Sequence, residues 1–190
     1  MKNLTELALA AALITGTAVI AQADEGRQET AGIQVQEGTS SSPLVERVRR
    51  ATEKYLNVHA AIAEGWVKGT PCVSGPDMGA MGVHYIKLDR VNNGVLNADE
   101  PEALIYEPQT NGGLRLVGVE YIVIAATWSN LHPNAGPPAL EGDLLNYVGS
   151  PNRYGLPAFY EMHVWAWEPN PKGSFADWNT HVTCAKQPAN

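Results

Sequence analysis

Three ionisable side chains sit in the middle of apolar runs: His84 in Gly82-Val83-His84-Tyr85-Ile86, Glu120 in Gly118-Val119-Glu120-Tyr121-Ile122, and His163 in Tyr160-Glu161-Met162-His163-Val164-Trp165. The first two runs repeat one pattern, Gly-Val-X-Tyr-Ile. All three are rich in Val, Ile, Tyr and Trp, the composition of β-strands, in which side chains two apart share a face. His84 therefore lies with Gly82, Ile86 and Leu88, Glu120 with Gly118, Ile122 and Ile124, and His163 with Trp165 and Trp167. Burying one such polar group among apolar neighbours is costly unless it is paired, so three on neighbouring strands either satisfy one another or share an ion.

Two neutral imidazoles and one carboxylate on three strands leave coordination positions open, as catalytic zinc and non-haem iron sites require. A structural zinc site would present four protein ligands, mostly cysteine. The reading is thus a divalent metal site with His84, Glu120 and His163 as ligands and His59 or His132 as a possible fourth. Nitrogen and oxygen ligands filled outside the cytoplasm favour copper or zinc over iron on affinity grounds. Met78 and Met81 are candidate soft ligands for Cu(I), whereas Met162 should point away from His163. The glycines Gly82 and Gly118 leave space beside the ligands, for a small ligand or for another side chain. Tyr85, Tyr121, Trp165 and Trp167 are the candidate contacts for such a ligand. Three functions follow: a metal-dependent enzyme on a small molecule, a non-catalytic carrier of metal or small molecule, or an envelope interaction module whose buried His and Glu network only specifies the sheet. The expected class is an exported metal-binding domain, with catalysis left open.

Other chemistries lose weight. The sequence has no G-x-S-x-G elbow, no H-E-x-x-H, no Gly-rich phosphate loop and no C-x-x-C-H. Thirteen Lys and Arg against 20 Asp and Glu give a formal charge of -7, which disfavours nucleic acid and anionic membrane surfaces as partners.

The elements that must position these groups begin with an export signal over residues 1–23: Lys2, an apolar core over residues 7–20, and the A-x-A site Ala21-Gln22-Ala23. That core is too short and Ala-rich for a membrane span. A polar leader, expected to be disordered, covers residues 24–42, and residues 43–190 form one domain, periplasmic or secreted. In an oxidising compartment Cys72 and Cys184 are most simply one disulfide, worth roughly 4 kcal/mol in the chain-entropy model.

A helix starts at Ser42-Pro43, with Ser42 as cap and Pro43 at the first helical position, and carries Val48, Ala51, Tyr55, His59, Ile62 and Trp66 on one stripe up to Gly65. Strands are expected over residues 80–89, 102–107, 114–126 and 159–167, the middle two joined as a hairpin through Asn111-Gly112-Gly113. Residues 89–100 imitate a calcium loop, but Val91 replaces an oxygen ligand and a plain turn at Asn92-Asn93-Gly94 is the better account. Residues 127–158 are rich in Pro and Gly, with one helical candidate over residues 140–148, and suggest a lid. The expected fold is α+β: one long amphipathic helix on a curved, mainly antiparallel sheet of four or more strands, with the Pro/Gly-rich lid loop over the other face.

Met81-Gly82-Val83-His84-Tyr85, the Val119-Glu120-Tyr121 strand, and His163-Val164-Trp165 continuing through Asn170-Pro171 and Gly173 to Trp178-Asn179 and Cys184 form a set that resembles a group of exported bacterial proteins with no assigned activity. The resemblance implies export and nothing about substrate or cofactor.

Overall fold

The computed structural model describes residues 42–187, so the signal and nearly all of the leader expected from the sequence lie outside the described residues. The chain is α+β. Helix α1, Pro43–Thr52, passes into a 3-10 turn, Glu53–Leu56, and a second helix, α2, spans Val58–Ala63. The expected single long helix is thus broken at Asn57. That residue is extended, with φ −95° and ψ 109°, and its side chain accepts the His59 N–H, so it caps a new helix instead of continuing the old one. Beyond the break the stripe turns outward: Ile62 is exposed, and so is His59. Ser42 makes no side-chain cap bond, and Pro43 alone marks the start of α1.

Among the described residues nine strands follow or interleave: β1 Val67–Lys68, β2 Val73–Gly75, β3 Gly79–Ile86, β4 Ala103–Pro108, β5 Leu114–Ile124, β6 Ala139–Leu140, β7 Asp143–Leu144, β8 Asn146–Val148 and β9 Phe159–Val164. The main sheet runs β1-β3-β4-β5-β9-β8, with β2 also paired to β3, and β1 and β8 end it without closure into a barrel. Every pairing is antiparallel. β4 and β5 form the expected hairpin, where Asn111 Oδ1 accepts the Gly113 N–H.

Several ends differ from the sequence reading. β3 stops at Ile86, and Leu88–Val91 is a short helix, α3; β5 stops at Ile124, and Ala125–Leu131 is another, α4. Residues 140–148 are not helical: β6 and β7 pair across Glu141-Gly142, both at positive φ (51° and 100°), the backbone of a tight hairpin turn. The Pro-rich segment therefore holds α4, a small hairpin and the edge strand β8, with irregular stretches over residues 132–138 and 149–158.

Both faces of the sheet are covered. On one, Leu44, Val45 and Val48 of α1 join Tyr55, Ala61 and Trp66 against Tyr85, Leu104, Tyr106, Val119, Tyr121 and Val164. Tyr106 Oη donates to the Tyr55 carbonyl at 2.8 Å, tying sheet to helix without leaving a buried hydroxyl unpaired. On the other face two apolar clusters form, Ala80, Ile105, Val117, Trp165 and Val182 in one, Val91, Ala103, Ile122, Ile124 and Phe159 in the other, with Tyr154 and Leu156 packed on the second. The C-terminal tail is fastened over that face by the Cys72–Cys184 disulfide and an Ala80–Asn179 bridge. Among the described residues no helix is long and apolar enough to cross a membrane.

Candidate metal centre

Strand register brings the three sequence candidates together on the tail-covered face. Glu120 of β5 lies directly opposite His163 of β9, and on its other side stands Ala103 of β4. Alanine there is too short to block the row, so His84 reaches across β4 from β3: its Nε2 lies 3.3 Å from Glu120 Oε2. Ligand atoms of His84, Glu120 and His163 all lie within 4.8 Å of one another, and the three residues are 1%, 3% and 0% exposed. They form a polar seam between two apolar clusters.

Each imidazole has a close polar neighbour at one nitrogen. Thr70 Oγ1 lies 3.1 Å from His84 Nδ1 and accepts the His84 backbone N–H, which fixes the ring and leaves Nε2 for the seam. His163 Nδ1 lies 2.8 Å from Glu161 Oε2. Yet His84 Nε2, both nitrogens of His163 and Glu161 Oε2 are buried without an aligned hydrogen bond. The His84–Glu120 and His163–Glu161 contacts are thus close approaches that leave these atoms without a full partner.

Burial sets the electrostatics. It pushes the His84 pKa down to about 3, assisted by the nearby His163, so His84 is the neutral, ligating form at any ordinary pH. Burial likewise raises Glu120, although His163 opposes the shift. For His163 burial acts downward but Glu120 and Glu161 outweigh it, and its pKa rises. Without a metal, then, Glu120 and His163 compete for a proton in a site that water does not reach freely.

A cavity of about 190 Å³ opens onto two of the three ligands, His84 and Glu120, and is walled by Ile86, Ile122, Leu156 and Phe159. Tyr154 also lines it, its ring 6.3 Å from that of His84 and its hydroxyl donating to Met81 Sδ at 3.3 Å. Met81 is thereby engaged, and Met78 is exposed on the surface. Met162 faces the helix-covered core, opposite His163, as expected.

Other candidates stand elsewhere. His59 is exposed on α2, and His132 stacks on Trp128 with centroids 3.9 Å apart, so neither joins the ligand group. Tyr85 and Tyr121 occupy the helix-covered face, Tyr121 donating to the Ala98 carbonyl. Trp165 stacks on His163, with 19° between ring planes, and donates to the Ala176 carbonyl. Trp167 does not join it: the strand ends at Val164, and Trp167 turns back to the helical layer to donate to Thr52 Oγ1. No common stacking surface of these four aromatics exists. The space at both glycines is filled by protein: a Cβ on Gly118 would lie 2.8 Å from the Val164 carbonyl oxygen, and one on Gly82 2.7 Å from that of Tyr106.

Sequence reasoning missed Glu161, Thr70, Tyr154 and Asp177. Glu161 was within reach, standing two residues before His163 and so on the same face. The other three come from loops with no periodic signal.

No family model matches the chain, and neither a curated protein nor a solved structure matches it significantly. Fold and site together define a class: an antiparallel α+β protein, stapled by one disulfide, whose buried His84, Glu120 and His163 group could hold a metal ion. No closer identification follows.

Proposed function

We propose that this chain is an exported metal-binding protein in which His84, Glu120 and His163 hold one divalent ion, copper or zinc, beside a cavity for a small apolar molecule. The observation that carries this reading is convergence without mutual satisfaction. The three ligand atoms lie within 4.8 Å, while His84 Nε2 and both ring nitrogens of His163 lack an aligned protein partner. A network built only to stabilise the sheet would pair these atoms, because an unsatisfied buried polar group costs about 1–3 kcal/mol.

A divalent ion bound here supplies Lewis acidity or, for copper, one-electron chemistry. The chain's own contribution is the frame: Thr70 orients His84, Ala103 leaves the path across β4, and Ile122, Leu156 and Phe159 make the approach apolar. The cavity reaches His84 and Glu120 but not His163, so a small molecule would come to the ion from one side only. That one-sided access favours chemistry at the ion over its handling as cargo. Export is supported by the Cys72–Cys184 disulfide, and the signal expected over residues 1–23 and the resemblance to exported bacterial proteins point the same way.

The test is elemental analysis of protein purified from the periplasm without a metal-affinity tag, beside the double variant His84→Ala, His163→Ala. Near-stoichiometric copper or zinc that disappears in the variant is the expected result. No bound metal, and no uptake of added Cu²⁺, Zn²⁺ or Fe²⁺, would overturn the proposal.

A further inference from the structure

His163 belongs to two ligand groups. Besides the set with His84 and Glu120, ligand atoms of Glu161, His163 and Asp177 also lie within 4.8 Å of one another. The second group is not a surface cluster: His163 and Glu161 are buried and Asp177 is half-buried. Glu161 and His163 share a face of β9, and Asp177 arrives on the C-terminal tail.

Two further observations point to a cation between them. First, His163 Nδ1 lies 2.8 Å from Glu161 Oε2, but neither atom has an aligned hydrogen bond. The two atoms are thus close without satisfying one another, as two ligands of one ion are. Second, carboxyl groups outnumber imidazoles at the site. Glu120, Glu161 and Asp177 set three carboxylates against two imidazoles, and among the described residues no lysine or arginine forms an ion pair with any of them. Arg153, close by, lies over the Trp178 ring, 5.4 Å from its centroid, and Asp177 accepts from the neutral amide of Asn146. Once they are deprotonated, as metal binding requires, carboxylates in this number need cations beside them.

The second group also has its own access. A cavity of about 200 Å³ is lined by Glu161 and Asp177, with Met81, Arg153, Tyr154 and Trp178, and it is separate from the one that reaches His84 and Glu120. We propose that the site is a two-ion centre: a second divalent ion is held by Glu161, Asp177 and Nδ1 of His163, whose opposite nitrogen, Nε2, serves the first ion, so that one imidazole bridges the pair. This deepens the proposed function and rests on it for the first ion. Bridging uses both ring nitrogens as donors, and the ring's remaining N–H proton leaves to solvent as the second ion binds.

The experiment titrates the metal-free full chain with Zn²⁺ and, separately, with Cu²⁺, and counts ions per chain after desalting. Asp177→Asn and Glu161→Gln are compared with Glu120→Gln. Two ions per chain in the parent, falling to one in Asp177→Asn and in Glu161→Gln, are expected, with the Cu²⁺-filled parent giving a weaker electron-spin-resonance signal per copper than the Asp177→Asn variant, because the two coppers couple through the ring. One ion in the parent and one in Asp177→Asn would overturn the two-ion centre and leave the proposed function standing. Loss of all metal from Asp177→Asn, with circular dichroism unchanged, would also overturn it and make Glu161 and Asp177 positioning residues for His163. No ion in any protein would remove both proposals.

Discussion

Glu102 is buried on β4's approach with one oxygen accepting the Ile122 N–H, and burial pushes its pKa up from 4.5 to about 8. In the folded protein the carboxyl keeps its proton where the unfolded chain has lost it. Its contribution is therefore fully present below pH 4.5 and is lost as the pH rises towards 8. Glu102→Gln mimics the protonated form, and urea unfolding of metal-free protein at pH 5 and pH 8 is the measurement. The parent should lose roughly 3 kcal/mol more than the variant between the two pH values. At this scale the sequence was most informative about His84, Glu120 and His163, because a strand's alternation depends on nothing beyond the strand itself. It was silent on Asp177, whose place depends on where a distant disulfide and the Ala80–Asn179 bridge pull the tail.

Among the elements, β5 carries the closest tolerance. Gly118 sits where the Val164 backbone and the Trp165 ring come against it, and a methyl group there would meet a carbonyl oxygen that cannot move without shifting β9. Gly118→Ala should destabilise the protein by about 1–3 kcal/mol in urea and weaken metal binding as well, since β9 carries His163. An unchanged urea midpoint would mean that β9 adjusts freely. The strands were legible from composition and the hairpin from Asn111-Gly112-Gly113, but element ends were not. Asn57 breaks the helix by capping a new one, and β9 ends three residues early, which alone moves Trp167 from the ligand face to the helical layer. The Glu141-Gly142 turn was hidden inside an apparent helical spacing, because propensity cannot show that a residue other than glycine will take positive φ.

For the whole molecule, the metal-free and metal-bound forms should respond to pH in opposite ways. Glu120 and His163 both have raised pKa values, so the stability they contribute is present at low pH and lost as pH rises through those values; His84, lowered, acts in the other sense, losing stability as pH falls below 6.5. Between pH 6.5 and 8.5 the metal-free melting temperature should therefore fall, by roughly 5 °C or more. Metal needs deprotonated ligands, so the stabilisation by added Zn²⁺ should grow over the same range. Parallel melting curves with and without Zn²⁺ would disprove the link. Cutting the staple by Cys72→Ala with Cys184→Ala should cost about 2–5 kcal/mol, read from urea midpoints. The α+β class, the antiparallel sheet and the disulfide were readable from the sequence, since each rests on composition, turn residues or cysteine count. Which face the helices cover, and hence which aromatic side chains lie near the ligands, required the folded chain.

The order of strands also sets a clock. β9 joins β5 only after 34 residues of helix, hairpin and loop have been traversed from Ile124 to Phe159, so Glu120 and His163 meet late, when the most distant pairing in the sheet closes. On β9's other flank lies only the three-residue β8, the edge of the sheet. Of the three strands that carry the candidate ligands, β9 is thus the one freed by opening of the edge alone, and an ion held by His84, Glu120 and His163 would leave by local unfolding of β8 and β9.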